Sequence, residues 1–330
     1  MRFLYQMDRF IGKNIVWATL SCLALGVLFP HFFGGLLTVN ALLFAFMTFA
    51  SSLNAGFREL KEVAMRPLPV VISLVILHTL IPAMVLLIGK FFFASEPYFV
   101  TGMVLEYSVP TAVATLMWVS MFRGNMPLSL SLVLLDTLLA PFAIPITLKL
   151  LVGTVVEVNA ASMMQSLLLT VALPAAAGMG LNQITHGRVA HTLQPKLQPF
   201  SKIALLLIIL GNVTGVAGYL RNMTTMLFFV ALTVFLFCVL GYFLGWATAR
   251  VLKLDFSSTL SLTLNIGMRN VNAGAVIAIQ YFPPQVLFPV VISSLFLQLS
   301  ASVVVQALIH TKAGRNALSP PKSESSVEQA

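Results

Sequence analysis

Charge is what this chain has least of. Only 9% of its 330 residues are Asp, Glu, Lys or Arg, where a soluble domain carries about 25%. That deficit excludes a water-soluble globule. Cysteine is nearly absent as well. Cys22 and Cys238 both fall inside long apolar runs, so no disulfide framework is implied. The sequence has no phosphate-binding glycine loop, no metal-ligand spacing and no nucleophile–base set. An enzyme is therefore not expected, nor is ATP-driven transport by this chain alone. The net charge of +9 does not point to nucleic acid. The basic residues are scattered between apolar runs and form no patch interleaved with aromatics.

What the chain has in abundance is apolar residues. They make up 58% of it, and the mean hydropathy is +0.96. The apolar stretches are continuous rather than alternating. Crossing the hydrocarbon core of a bilayer takes about 20 such residues in a helix, so the expected class is an all-α polytopic membrane protein, not a barrel. Ten segments can be read, at approximately 14–30, 35–54, 68–89, 98–122, 126–151, 161–183, 199–219, 223–249, 256–281 and 285–310. Residues 1–310 are expected to form one transmembrane domain in the lipid bilayer. The stretch "MRFLYQMDRFIGKN" has no apolar core ahead of its charges, so the first segment is expected to be retained. Residues 311–330, ending in "SPPKSESSVEQA", are expected to be a disordered cytoplasmic tail.

Lys and Arg set the orientation. With the N-terminus in the cytoplasm, 15 of the 19 fall on the inner side, three (Lys90, Lys149 and Arg221) on the outer side, and Arg269 lies within a segment. That asymmetry predicts an inner-membrane protein with both termini cytoplasmic. The two halves, about 12–152 and 160–310, resemble each other. Each ends with a polar, interrupted segment, a short connection and a long apolar segment. The interrupted stretches are "EYSVPTAVATLMWVS" in segment four and "LNIGMRNVNAGAV" in segment nine. Five segments per half forces the second half to be inverted, and inverted repeats with matched broken helices point to a secondary transporter.

Four ionisable residues stand inside segments: His78, Glu106, Asp136 and Arg269. A charge at mid-membrane costs roughly 2.5–3.5 kcal/mol on insertion scales. Such groups should face a protein interior or a wet cavity, and they should pair. Glu106 and Asp136 are the expected partners of Arg269, either as a structural ion pair or within a substrate or coupling site. Pro110 denies segment four a backbone donor and disfavours helix at Val109. Gly267 and Gly274 weaken the helix of segment nine, and Asn265, Asn270 and Asn272 can satisfy freed backbone groups. Two half-helix N-termini meeting there would favour an anion. Ser129 shares a helical face with Asp136, a face able to offer oxygen ligands to an alkali cation, although Ser129 could equally bond its own backbone. His78 could shuttle protons or be a hydrogen-bonded interior residue.

With these residues in place the chain resembles the bile acid:sodium symporter family. The likeness runs over about residues 12–310 and rests on "REL..VAMRPLPV" ahead of segment three, "VPTAVATLMWVSMFRGN" in segment four and "NIGMRNVNAG" in segment nine. It implies ten helices in two inverted five-helix repeats, with helices four and nine broken and crossed. A panel of helices one, two, six and seven would move against a core of helices three, four, five, eight, nine and ten. It also implies a small organic anion as substrate, from bile acids to small carboxylates, with sodium as the usual coupling ion.

The sodium residues depart from the family pattern. A glutamate, a glutamine and an asparagine of helix nine read Asn265, Arg269 and Asn270 here. Ser-Asn at the helix-four crossing reads Thr115-Leu116. In helix five Ser129 matches, while a later threonine falls at Val133. The helix-three glutamine falls near Leu77, beside His78. A residual sodium site would rest on Thr115, Ser129 and Asn265. The expectation is that Arg269 stands in for one sodium ion, that Arg269, Asn270, Thr115 and Asn265 meet the substrate, and that coupling falls to a residual ion, to a proton on Glu106, Asp136 or His78, or to nothing. No other cofactor is expected. A proton-linked or uncoupled efflux carrier and a non-transporting membrane receptor are the alternatives.

Overall fold

The computed structural model describes residues 2–55, 67–153, 156–311 and 314–315. Most of the "REL..VAMRPLPV" stretch and nearly all of the 311–330 tail lie outside the described residues. Within them the regular structure is helical, and the one β contact is a single-residue bridge.

In chain order the helices are α1 (Arg2–Lys13), α2 (Ile15–Leu28), α3 (Leu36–Ser52), α4 (Pro67–Phe92), α5 (Pro97–Ser108), α6 (Thr115–Met121), α7 (Met126–Leu151), α8 (Ala160–Ile184), α9 (Gln194–Arg221), α10 (Thr225–Val251), α11 (Phe256–Gly267), α12 (Val271–Tyr281) and α13 (Pro284–Ile309). Six of them, α4, α7, α8, α9, α10 and α13, are long and apolar enough to cross a membrane. The other four expected segments are shorter or interrupted. α3 has 17 residues, about 25 Å at 1.5 Å per residue. Segment one is α2, bent by 70° from α1. Segments four and nine are α5 with α6 and α11 with α12. The exterior carries large apolar side chains, among them Phe32, Leu42 and Phe91 at 81, 71 and 80% exposure, a surface suited to lipid rather than water. The protein is a multi-pass membrane protein.

Prolines shape two of the long helices. In α4 a π-helical turn at Ile76–Leu80 precedes Pro82, and in α8 one at Leu168–Ala172 precedes Pro174. A proline cannot donate to the carbonyl four residues back and crowds it; the wider turn absorbs that conflict. The carbonyl that Pro82 leaves unmatched belongs to His78, and the Thr147 hydroxyl of α7 donates to it at 3.2 Å.

Helix contacts run through the whole bundle, α9 against α13 and α3 against α12 among them. α9 lies along α2 and α3, and α8 lies against α3. Elsewhere α5 sits between α4 and α13, α10 runs along α11 and touches α13, and α12 packs on α13. α7 touches both α5 and α11 and also meets α8. A buried amide pair ties α3 to α9: Asn40 Nδ2 donates to Asn212 Oδ1 at 2.6 Å.

Candidate functional site

The two interrupted helices meet at their breaks. α5 ends at Ser108, and Val109 is extended (φ −71°, ψ 156°), the conformation that a following proline imposes. α11 ends at Gly267, and Met268 is extended (φ −94°, ψ 127°). The extended pieces run antiparallel, with Thr111 bridged to Arg269. Asn270 N–H donates to Pro110 O at 2.8 Å, and Ala112 N–H donates to Met268 O at 3.2 Å. The Thr111 hydroxyl donates to Asn265 O at 2.9 Å. The backbone groups that each break releases are thus matched largely by the other break, as a dry interior requires.

Around this bridge the polar side chains are fully or nearly fully buried: Glu106, Thr111, Thr115, Ser129, Asp136 and Asn265 at 0%, and Arg269 at 2%. Their pairing differs from expectation. Arg269 interacts electrostatically with Asp136 and Glu106, but neither forms an ion pair with it. Asp136 instead pairs with His78, with Oδ1 2.6 Å from His78 Nε2. The π-helical turn carries His78 to the α7 side, where Thr147 binds its carbonyl. Asp136 Oδ2 accepts the Thr111 N–H at 2.7 Å. Glu106 Oε1 accepts the Ser293 hydroxyl of α13 at 2.6 Å, and its Oε2 has no partner. Both terminal guanidinium nitrogens of Arg269 also lack hydrogen-bond partners in the protein.

The oxygens expected to face an alkali cation are arranged as follows. Asn265 Nδ2 donates to Ser129 Oγ at 2.5 Å and to Ser261 O at 2.7 Å, leaving Asn265 Oδ1 unpartnered. Thr115 starts α6, and its hydroxyl oxygen is also without a partner. Asp136, on the face it shares with Ser129, has each carboxylate oxygen in one hydrogen bond. The unpartnered oxygens near the breaks are thus two neutral ones, on Asn265 and Thr115, and one carboxylate oxygen, Glu106 Oε2. Among the described residues no group of three His, Cys, Asp or Glu could hold a metal ion.

Asn270 caps α12, its Oδ1 accepting Ala273 N–H at 3.4 Å, a backbone pairing of the kind expected of it. Gly274 lies inside α12 rather than in the break, where its lack of a side chain leaves room for Val109 and Val290 and keeps Glu106 Oε2 close. Gly267 does end its helix, and it has to be small there: a Cβ would run into the Tyr242 ring of α10. Sequence reading missed Thr111 and Ser293, which donate to the Asp136 and Glu106 carboxylates, and Thr147, which donates to the His78 backbone carbonyl. They are short polar residues in apolar segments, and weighing only ionisable groups passes them over.

On one rim of the molecule α8 meets α12 through side chains. Ser166 donates to Gln280 at 2.8 Å, and the Tyr281 hydroxyl donates to Ser162 O at 2.9 Å.

Comparison with known proteins gives a consistent result. The model of the "Sodium Bile acid symporter family" matches residues 41–223. The Bacillus subtilis (strain 168) protein YbaS is 36% identical over 285 residues, covering 86% of this chain and 93% of its own length. From the same organism, "Uncharacterized sodium-dependent transporter YocS" is 26% identical over 306 residues, 92% of this chain and 93% of that protein. The Oryza sativa subsp. japonica protein "Probable sodium/metabolite cotransporter BASS1, chloroplastic" is 27% identical over 240 residues, 72% of this chain and 57% of that protein. With a family match over more than half of its residues, this chain belongs to the sodium bile acid symporter family.

Proposed function

We propose that this protein is a secondary transporter of a small organic anion, built as ten membrane segments in two inverted five-segment repeats and working by alternating access about the two breaks. The observation that carries the reading is Arg269: a buried guanidinium, held at the meeting of two broken helices, with both terminal nitrogens unpartnered. A buried cation without direct pairing is costly and is best explained by an anion that visits it. A carboxylate matches the guanidinium fork in shape and charge. The names borne by YocS and BASS1, a sodium-dependent transporter and a sodium/metabolite cotransporter, support the carrier class.

The moving parts would be a panel of α2, α3, α8 and α9, with α9 packed along α2 and α3 and α8 against α3, and a core of the remaining membrane helices. The side-chain bonds from Ser162 and Ser166 to the end of α12 would be broken and remade as the two parts move. By the distribution of basic residues that rim is the outer one, and both termini lie in the cytoplasm of a bacterial cell.

Sodium coupling in its usual form is not expected to carry over. Asn265 and Arg269 replace a carboxylate and an amide, and a fixed positive charge in place of an ion both repels sodium and supplies the field that sodium would supply. The test is uptake of pyruvate, pantoate and taurocholate into proteoliposomes with and without an inward sodium gradient. Saturable uptake of at least one, abolished by Arg269→Gln, is the expected result. No uptake or binding of any carboxylate in a thermal-shift screen would refute the transport reading, and a strong dependence on two sodium ions would refute the substitution of sodium by Arg269. The paired change Asn265→Glu with Arg269→Gln should create or strengthen sodium dependence.

A further inference from the structure

We propose that His78 and Asp136 form a proton-binding site that couples anion movement to the proton gradient. The inference deepens the transport reading above and rests on it.

Geometry carries the argument. His78 Nε2 and Asp136 Oδ1 are 2.6 Å apart. A nitrogen and a carboxylate oxygen sit that close only with a hydrogen between them, and with Asp136 ionised, as its Thr111 N–H bond favours, that hydrogen is on Nε2. The atom left to gain or lose one is Nδ1, which is buried and has no hydrogen-bond partner. The pair therefore switches between a net charge of −1, with neutral imidazole, and 0, with imidazolium. The π-helical turn ahead of Pro82 and the Thr147 bond to the His78 carbonyl hold the ring in this place.

Two links join the pair to the anion site. Asp136 Oδ2 accepts the N–H of Thr111, the residue bridged to Arg269. Imidazolium draws charge from the carboxylate and weakens that acceptor, so the proton is felt at the break itself. The second link is charge. Among the described residues, Arg269 is a second charged group that acts on Asp136. From the neighbouring α5, Glu106 bonds Ser293 of α13, and Tyr107 donates its hydroxyl to Val234 O of α10, so neither is bonded to the pair. Each proton bound adds one positive charge beside the guanidinium, where an anion would sit. Proton and anion then strengthen each other's binding reciprocally. One proton enters with one carboxylate, and both leave on the other side.

The chain has five histidines, so changing His31, His186, His191 and His310 to Gln leaves His78 as a single reporter. In nanodiscs with 15N-labelled histidine, the ring should pass from one protonated nitrogen to two as the pH is lowered, and Asp136→Asn should shift that change. A His78 ring that keeps one form throughout, or a change indifferent to Asp136→Asn, overturns the proposal. The second arm follows labelled pyruvate in sodium-free proteoliposomes. An inward proton gradient should drive accumulation of about tenfold per pH unit, and His78→Gln and Asp136→Asn should each lose that response. Uptake that ignores the proton gradient overturns proton coupling while leaving the transport reading intact. No pyruvate flux under either gradient counts against the transport reading, and the histidine titration still decides the proton site.

Discussion

Replacing Gly267 with alanine tests whether this position is a glycine because of packing or because of its weak helix propensity. Gly267 does not need a glycine for its backbone: it is the last residue of α11, and its φ is not positive. It is small because the Tyr242 ring lies against it, with Cγ, Cδ1 and Cε1 all inside contact distance of any Cβ. The ring cannot swing aside freely. Tyr242 is 1% exposed, and its hydroxyl donates to Leu297 O on α13 at 2.8 Å. Alanine must therefore displace a ring tethered at its far end. Overpacking of this kind costs about 1–3 kcal/mol, and loss of a buried hydrogen bond costs about as much again. A loss of about 3 kcal/mol or more is expected, read as a fall of about 5 °C or more in melting temperature for a chain of this size. The assay is thermal unfolding of purified protein in detergent. Gly274→Ala is the control, because its Cβ would meet the Val290 and Val109 methyls at 3.0 and 3.2 Å, which can yield, and Glu106 Oε2 at an ordinary contact distance of 3.7 Å. It should stay within about 1 kcal/mol of the parent. Tyr242→Leu combined with Gly267→Ala should be less damaging than the sum of the two single changes. A Gly267→Ala protein that melts with the parent, or a double variant with fully additive loss, would refute the packing explanation.

Other changes follow from the same contacts. Arg269→Lys should recover only part of the anion affinity that Arg269→Gln loses, because an ammonium cannot reproduce the planar fork; equilibrium binding of a transported carboxylate decides it. Asn40→Leu should destabilise by about 1–3 kcal/mol by stranding the Asn212 amide, and Asn40→Leu with Asn212→Leu should cost less than that single change; thermal unfolding of both reads this out. Asp255 caps α11 by accepting Ser258 N–H at 3.2 Å and the Ser257 hydroxyl at 2.6 Å. Burial alone would raise its carboxyl, but these bonds hold it below the ordinary carboxylate range. Its contribution is present above the unfolded value near pH 4 and fades as pH falls through the lower folded value. Asp255→Ala should cost about 1 kcal/mol at neutral pH and progressively less in acid, measured as melting temperature against pH.

The segments were legible because the bilayer imposes them. Runs of apolar residues bounded by Asn125, Thr224, Asp255 and Pro284 mark helix starts, and these residues cap or begin the helices found. Pro110 marked one break through a steric rule that needs no partner. The second break could be sensed from "NIGMRNVNAG" but not placed, because Gly274 and Gly267 look alike as letters and only the Tyr242 ring separates their roles. Charge pairing was the least legible level. Which carboxylate meets which cation depends on helix rotation, and a π-helical turn alters that rotation by a fraction of a turn. His78 and Asp136 were both visible as intramembrane charges; that they choose each other over Arg269 is a fact of three dimensions. Hydroxyls such as those of Ser293 and Thr147 are found only once the helices are side by side.

The bridge between Thr111 and Arg269 also bears on how the chain is made. Its two strands lie about 160 residues apart, and synthesis at about 5–20 residues per second separates their arrival by on the order of ten seconds. Through that interval the amide of Ala112 and the carbonyl of Pro110 await Met268 and Asn270, the groups that will match them. The first half must either linger near the insertion machinery, where water can satisfy it, or borrow a temporary partner. A ribosome stalled between residues 112 and 268 should therefore leave a nascent chain whose first broken helix is open to water-borne labelling, and completion of α12 should close it.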